Sequence, residues 1–359
     1  MRSIKQSRRP VAYGSGLVAL DVVLDQENGI ETRFAGGTCG NVLAILAFLG
    51  WRSVPVARLA DDFAGSLIRE DLERWGLDLE YLGLQPQTAT PVIIQKIYRD
   101  KMGLPRHRFL WTCPDCGAYL PQFRPVPVKQ LEIVKSVDAQ VFFFDRVSPG
   151  NIEMARRFAD KGAVVVFEPS ASSDPRLFRE AVRICHILKY ASQRVRPFTE
   201  HLGASKAWLE IETLGDEGLR YRTAPPMPGD GSWKYAPAFE VKNVKDTAGC
   251  GDWCTAGLLA GIARNGQKSM AETSLDFLES ILQYAQALSA WNCTFPAARG
   301  GMYLASRSSM TTAIDEIISG ASRLRRLRRK KHKNLSAVFC PHCAESNQNQ
   351  QTAHWKQPA

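Results

Sequence analysis

From residue 140 onward the chain alternates short, wholly apolar runs with helix-forming segments, and this alternation restricts its fold more than any other feature. Val141-Phe142-Phe143-Phe144 reads as a strand buried on both faces, Ile152 to Asp160 as a helix closed at Gly162, and Ala163 to Phe167 as the next strand, ending at Glu168-Pro169. A helix from about Arg176, a strand Ile184 to Lys189 and a strand Ala207 to Ile211 continue the series. A strand without a polar face must be covered on both sides. The intervening helices supply the covers and the long crossovers that parallel pairing needs. The reading is an α/β chain built on a parallel sheet sandwiched by helices. Such sheets bind ligands at the carboxyl ends of their strands, where Glu168, Thr213, Gly215 and the segment Asp246 to Asp252 are expected.

The N-terminal half reads differently. Val11 to Ala19 is a first strand broken by Gly14 and Gly16, and Gly14-x-Gly16 lacks the third glycine of a dinucleotide fingerprint. Gly36-Gly37-Thr38-Cys39-Gly40-Asn41 opens the apolar helix Val42 to Leu49, stopped by Gly50. Asn41 is an unusual residue for the first turn of a buried helix. It suits a backbone cap or a hydrogen bond to a polyol. Ser53 to Leu59 is read as a strand, followed by a helix ending near Gly76. Thr88 to Tyr98 alternates like an exposed strand, with Arg106 to Trp111 as its antiparallel partner. With Ile30 to Phe34 these form a small appendage rather than part of the parallel sheet.

Asp246-Thr247-Ala248-Gly249-Cys250-Gly251-Asp252 carries the most chemistry. It follows a β-like run, Phe239 to Val244, and opens an apolar helix, Trp253 to Ala263. Two glycines at a helix start let backbone approach an anion, and the first-turn N–H groups and the helix dipole face it. Asp252 in that turn can take a proton from an attacking hydroxyl. An anion cradle beside a base suits phosphoryl transfer to an alcohol; a capped helix after a glycine turn is the plainer account. Gly261 to Ser269 imitates a P-loop, but an extra residue separates Gly266 from Lys268 and a helix precedes it, so it is read as a helix C-cap.

Composition excludes two classes. No apolar run approaches the roughly 20 residues of a membrane span, and Met1 to Pro10 lacks the apolar core of a signal peptide. Cytoplasm is the default. The chain carries 46 Lys and Arg against 36 Asp and Glu, but eight of the former lie in one run, Arg323 to Lys333. The body is near neutral, so any nucleic-acid affinity belongs to that run. Five of the nine cysteines lie singly in apolar surroundings; the others form Cys113-Pro114-Asp115-Cys116 and Cys340-Pro341-His342-Cys343. Each pair has the spacing of half a zinc site and, taken alone, equally of a redox motif or of chance; together they supply four thiolates for a structural Zn²⁺, a zinc-ribbon-like element. Such a site would clasp the C-terminal tail onto the insertion at about 113–127, with His332 or His342 as substitute ligands.

Gly36-Gly37-x-x-x-Asn41, then Thr213-Leu214-Gly215-x-x-Gly218, then Asp246 to Asp252 resemble, in order and spacing, the ribokinase-like (PfkB) carbohydrate kinases over roughly Val11 to Ala305. The resemblance implies a Rossmann-like core sheet at 1–321 with a β lid from about 30–34 and 88–112, the basic tail with the second cysteine pair following at 322–359. It implies an ATP-dependent kinase for a small sugar or nucleoside, with Mg²⁺. Asp252 then matches the base, and Gly249, Cys250 and Gly251 the anion hole, Cys250 standing where alanine is usual. Asp21, Gly37 and Asn41 match residues that hold the acceptor hydroxyls, and Thr213, Gly215 and Gly218 the nucleotide loop. Asp246 and Thr247 match a segment that binds a monovalent cation such as K⁺ in some members. The family's exposed lid often pairs between copies, so a homodimer through the lid is a further expectation. One departure stands out: the family's Asn-x-x-Glu after the strand ending at Lys189 is replaced by Tyr190-Ala191-Ser192-Gln193-Arg194. That loss leaves open a second function, a sugar- or nucleoside-binding regulatory protein with weakened catalysis.

Overall fold

Alternate residues of the central strands point into two different cores. Phe143, Val164, Val166 and Ile187 join one cluster of buried side chains, while Phe142, Phe144, Val165 and Phe167 join another. That two-sided burial is what their unbroken apolar sequence demands. The computed structural model describes residues 9–25, 29–83, 89–101, 105–134, 139–171, 174–195 and 198–320, together with Cys340 and Cys343. The basic run, His332 and His342 lie outside them.

The strands are β1 (Val11–Ser15), β2 (Ala19–Asp25), β3 (Ile30–Gly36), β4 (Arg52–Pro55), β5 (Val92–Arg99), β6 (Pro105–Leu110), β7 (Val141–Arg146), β8 (Val164–Ala171), β9 (Ile187–Ala191), β10 (Leu209–Thr213), β11 (Gly218–Thr223) and β12 (Lys234–Pro237). Eight form the main sheet in the order β12-β11-β10-β9-β8-β7-β1-β4. From β10 to β4 neighbours pair in parallel; β11 and β12 add an antiparallel edge.

The helices are α1 (Thr38–Phe48), α2 (Phe63–Arg74), α3 (Pro149–Asp160), α4 (Pro175–Ile184), α5 (Ser192–Val195), α6 (Thr199–Leu202), α7 (Cys250–Ile262), α8 (Gln267–Ala271), α9 (Leu275–Asn292), α10 (Gly300–Leu304) and α11 (Arg307–Ile318). Buried residues of α1, α7 and α9 belong to the first core, and those of α3 and α4 to the second. Helix α7 is apolar almost all round because α1 and α9 both pack on it. Its Trp253 lies edge-on to Phe48 of α1 and Trp291 of α9, with ring centroids 6.1 and 5.3 Å away. The imitation P-loop contains the turn between α7 and α8, consistent with a helix end.

The lid is a separate sheet, ordered β3-β2-β5-β6. Here β2 and β5 run parallel while the outer pairs are antiparallel. Three expectations need correction. Val11 to Ala19 is not one strand: β1 belongs to the main sheet and β2 to the lid, and the chain crosses between them at Gly16–Val18. The buried Asp145 carboxylate holds that crossing, its Oδ1 accepting from Leu17 N at 2.9 Å. The run Phe239 to Val244 is not a strand either. Sheet pairing stops at Pro237, and Glu240, Lys242 and Asn243 are exposed. Asp246 to Asp252 therefore enters from a loop rather than from a strand end. Ser53 to Leu59 is also shorter than expected, forming only β4 plus a bridge from Ala57 to Leu82.

Candidate active site

Helix α7 begins where the chain turns through Gly249 at φ 75° and ψ −4°, a left-handed conformation. A Cβ there would meet the Ala298 carbonyl oxygen at 2.2 Å, so only glycine fits the approach of these two loops. The turn puts Cys250, Gly251 and Asp252 in the first helical turn, ahead of the helix's own hydrogen-bond ladder. Cys250 packs its sulfur 2.8 Å from that of Cys293. That contact and burial both raise its thiol pKa, so it stays neutral.

Asp252 is only 9% exposed, and its Oδ2 accepts from Asn41 Nδ2 at 2.8 Å. Burial, aided by the Glu168 charge, raises its pKa to about 8, against the Asn41 hydrogen bond and the cations Lys189 and Arg194, which lower it. Glu168 and Lys189 support the turn from below. Lys189 Nζ donates to Glu168 Oε1 at 2.8 Å and to the Gly251 carbonyl at 3.1 Å. Thr255 Oγ1 donates to Glu168 Oε2 at 2.5 Å.

Asn41, in the first turn of α1, is shared. Besides bonding Asp252, its Oδ1 accepts from Arg299 Nε at 3.0 Å. Arg299 is 2% exposed, donates to the Ala35 carbonyl, and pairs with Asp71 of α2 at 2.9 Å. No motif in the sequence marks it: it stands alone between Ala298 and Gly300. Asp21, in β2, sits under Gly37; burial raises its carboxyl pKa to about 7, against the Arg299 charge and the Gly37 backbone N–H, which lower it. Gly37 has φ 77°, and a Cβ on it would meet the Leu17 carbonyl oxygen at 2.4 Å. Asp21, Asn41, Phe34, Ala297 and Arg299 line a small cavity. Asp21 Oδ1 and Arg299 Nη1 are buried without a hydrogen-bond partner among the described residues. One is an acceptor or, when protonated, a donor, and the other is a donor; a hydroxylated ligand would satisfy both.

Asp246 is 3% exposed and ties the lid to this loop. It accepts from Gln95 Nε2 of β5 at 2.5 Å, from Ala248 N at 3.0 Å and from Ala297 N at 3.1 Å, and it contacts His107 Nδ1 of β6 at 3.0 Å. Thr247 beside it is exposed. Thr213 ends β10, and Gly215 and Gly218 bound the 3₁₀ turn leading into β11, at the same end of the main sheet as Glu168. The four paired cysteines also come together, their sulfurs within 4.8 Å of one another.

The pfkB family carbohydrate kinase profile matches residues 11–302. The chain belongs to that family. It is 26% identical over 277 residues to the aminoimidazole riboside kinase of Salmonella typhimurium, covering 69% of this chain and 80% of the relative. Among solved structures it resembles the fructokinase of Xylella fastidiosa with bound ATP (TM-score 0.66, 18% identity, 85% of this chain and 98% of the other). It also resembles the aminoimidazole riboside kinase of Salmonella enterica (TM-score 0.63, 20% identity, 85% and 99%). The fold is therefore ribokinase-like. No helix among the described residues is long and apolar enough to cross a membrane.

Proposed function

We propose that this kinase transfers the terminal phosphoryl group of ATP to a hydroxyl of a small sugar or nucleoside. Asp252 is the base, and the first-turn amides of α7 are the anion hole. The observation that carries the reading is the position of Asp252: a buried carboxylate with a pKa raised to about 8, in the first turn of a helix opened by Gly249. Such a carboxylate can take a hydroxyl proton near neutral pH, while adjacent N–H groups stabilise charge on the moving phosphoryl group. The substrates named for its relatives, fructose and aminoimidazole riboside, are small polyhydroxylated molecules.

On this reading Asp21 and Arg299 hold acceptor hydroxyls through their unpartnered atoms. Asn41 orients the base, since its amide is committed to Asp252 and Arg299. Gly37 is the close backbone wall that donates to Asp21. Thr213, Gly215 and Gly218 form the nucleotide edge. Mg²⁺ would come with the nucleotide and neutralise phosphate charge. Glu168 is the carboxylate beside Gly251, and its oxygens are already engaged by Lys189 and Thr255. Exposed Arg194, close enough to lower the Asp252 pKa, supplies positive charge where the family's glutamate is missing. Asp246 we assign to bracing the lid rather than to binding K⁺, because both of its oxygens already have partners.

A second reading, a ligand-binding regulator with weak catalysis, draws on the absent carboxylate at residues 190–194. A nucleotide-turnover screen over sugars and nucleosides, with mass detection of the product, separates the two. A phosphorylated product formed at enzyme-like rates supports the kinase. Tight acceptor binding without turnover supports the regulator.

A further inference from the structure

We propose that Cys113, Cys116, Cys340 and Cys343 hold one structural Zn²⁺ that clasps the C-terminal segment to the base of the lid. The two Cys-Pro-x-Cys pairs are 224 and 230 residues apart along the chain in their cross-contacts, yet Cys116 Sγ lies 3.8 Å from Cys340 Sγ, and Cys113 Sγ lies 3.8 Å from Cys343 Sγ. Four sulfurs at Zn–S bonds of about 2.3 Å form a tetrahedron with edges of about 3.8 Å. A disulfide needs sulfurs about 2.05 Å apart, and neither contact approaches that. All four sulfurs lie within 4.8 Å of one another, so they define one site rather than two pairs.

The local backbone fits a metal knuckle. Cys113 N donates to the Ala118 carbonyl at 2.8 Å, Gly117 N donates to the Cys113 carbonyl at 2.9 Å, and Gly117 turns at φ 73°. The turn thus directs both thiols of Cys113 and Cys116 to one side. Four protein ligands close the coordination sphere, so the site is structural and has no position for a substrate. Zinc suits it because four thiolates in a closed tetrahedron are the ligand set of structural zinc sites.

The clasp is placed to act on the lid. Cys113 follows β6 directly, and β6 carries His107, which contacts Asp246. Beyond the knuckle, the Pro121 carbonyl accepts from Val92 N at the start of β5. Cys113 and Cys340 are themselves buried in the main core. One ion therefore joins the lid strands, the core and the C-terminal segment. The effect on acceptor binding rests on the proposed function; the metal site does not.

Metal analysis of the full-length protein, purified without added metal or chelator, should find about one zinc per chain. Cys116→Ser, which changes an exposed ligand, and Cys343→Ser should each lose it and make the C-terminal segment more susceptible to protease. Substitution of Co²⁺ should give the visible spectrum of a tetrahedral tetrathiolate, lost in either variant. Metal-depleted protein should bind acceptor several-fold more weakly while ATP affinity holds. Zinc absent from the purified protein, zinc retained in both variants, iron in place of zinc, or disulfides between the two pairs on peptide mapping would overturn the site. Zinc bound with acceptor affinity unchanged on its removal would overturn the link to the lid and leave the kinase reading untouched.

Discussion

The main sheet and the lid share a hydrocarbon core but differ in the polar contacts added to it. Strands β7 to β9 are buried on both faces by hydrocarbon, an attraction proportional to area and indifferent to direction. Leu20, Val22, Val92 and Ile94 of the lid share the first core, and the lid adds polar contacts: Gln95 and His107 on Asp246, and the Ala35 carbonyl and N–H on Arg299 and Asp71. Hydrogen bonds are directional and exchange with water at little net cost, whereas an unmade buried one is expensive. The core is thus a fixed platform for Asp252. The lid shares that core and adds directional contacts over Asp246 and Arg299, beside the acceptor cavity. Substitutions in the two regions should then fail in different ways.

The largest effect belongs to the platform's chemistry. Asp252→Asn keeps the size of the side chain and a partner for Asn41 but cannot accept a proton. Turnover should fall by about 10²–10⁴, with folding and binding of both substrates preserved by calorimetry. Turnover close to that of the unmodified protein would remove Asp252 from the role of base. Next comes packing. Trp253→Ala deletes a fully buried ring wedged between α1 and α9, and should cost about 3–5 kcal/mol in denaturant unfolding. A loss below about 1 kcal/mol would mean that the platform relaxes easily, against the contrast drawn with the lid.

A lid substitution should behave otherwise. Gln95→Ala removes one donor from Asp246 while Ala297 and Ala248 still serve it. It should weaken acceptor binding by about 1–3 kcal/mol, leaving ATP affinity and global unfolding nearly unchanged. Loss of global stability matching that of Trp253→Ala would erase the distinction between the two regions.

The same contrast explains what the sequence made legible. Val141 to Phe144 and Ala163 to Phe167 could be placed because burial on both faces is written in consecutive residues. The lid's hairpin β5–β6 could be found from alternation, but β2 could not, since nothing in Gly16-Leu17-Val18 marks a change of sheet except the glycine. Phe239 to Val244 misled because alternation is local while a strand needs a neighbour, and pairing ends at Pro237. Arg299 carries no sequence signal for a related reason. Its partners Asn41 and Asp71 are 258 and 228 residues away, and a lone arginine among alanines and glycines carries no spacing to read. The cysteine pairs were legible because the residue type itself carries the chemistry.

The smallest effect tests how finely Asn41 tunes the base. Asp252 has a folded pKa of about 8 against an ordinary 3.8. As a base it works only when ionised, so kcat/KM should rise with pH and level off above about 8. Asn41 donates to the carboxylate and favours its charged form, as the Lys189 and Arg194 cations do; Glu168 opposes them. Asn41→Ala should therefore move the rising limb to higher pH, with the plateau approached at alkaline pH. Stability runs the opposite way. A carboxyl whose pKa is raised by folding binds its proton more tightly in the folded chain, so its contribution is lost as pH rises from 3.8 towards 8. Asp252→Asn abolishes that loss and should gain stability relative to the unmodified protein over the same interval. A limb that stays put in Asn41→Ala, measured together with an unchanged pH dependence of unfolding in Asp252→Asn, would show that the titrating base is some other group.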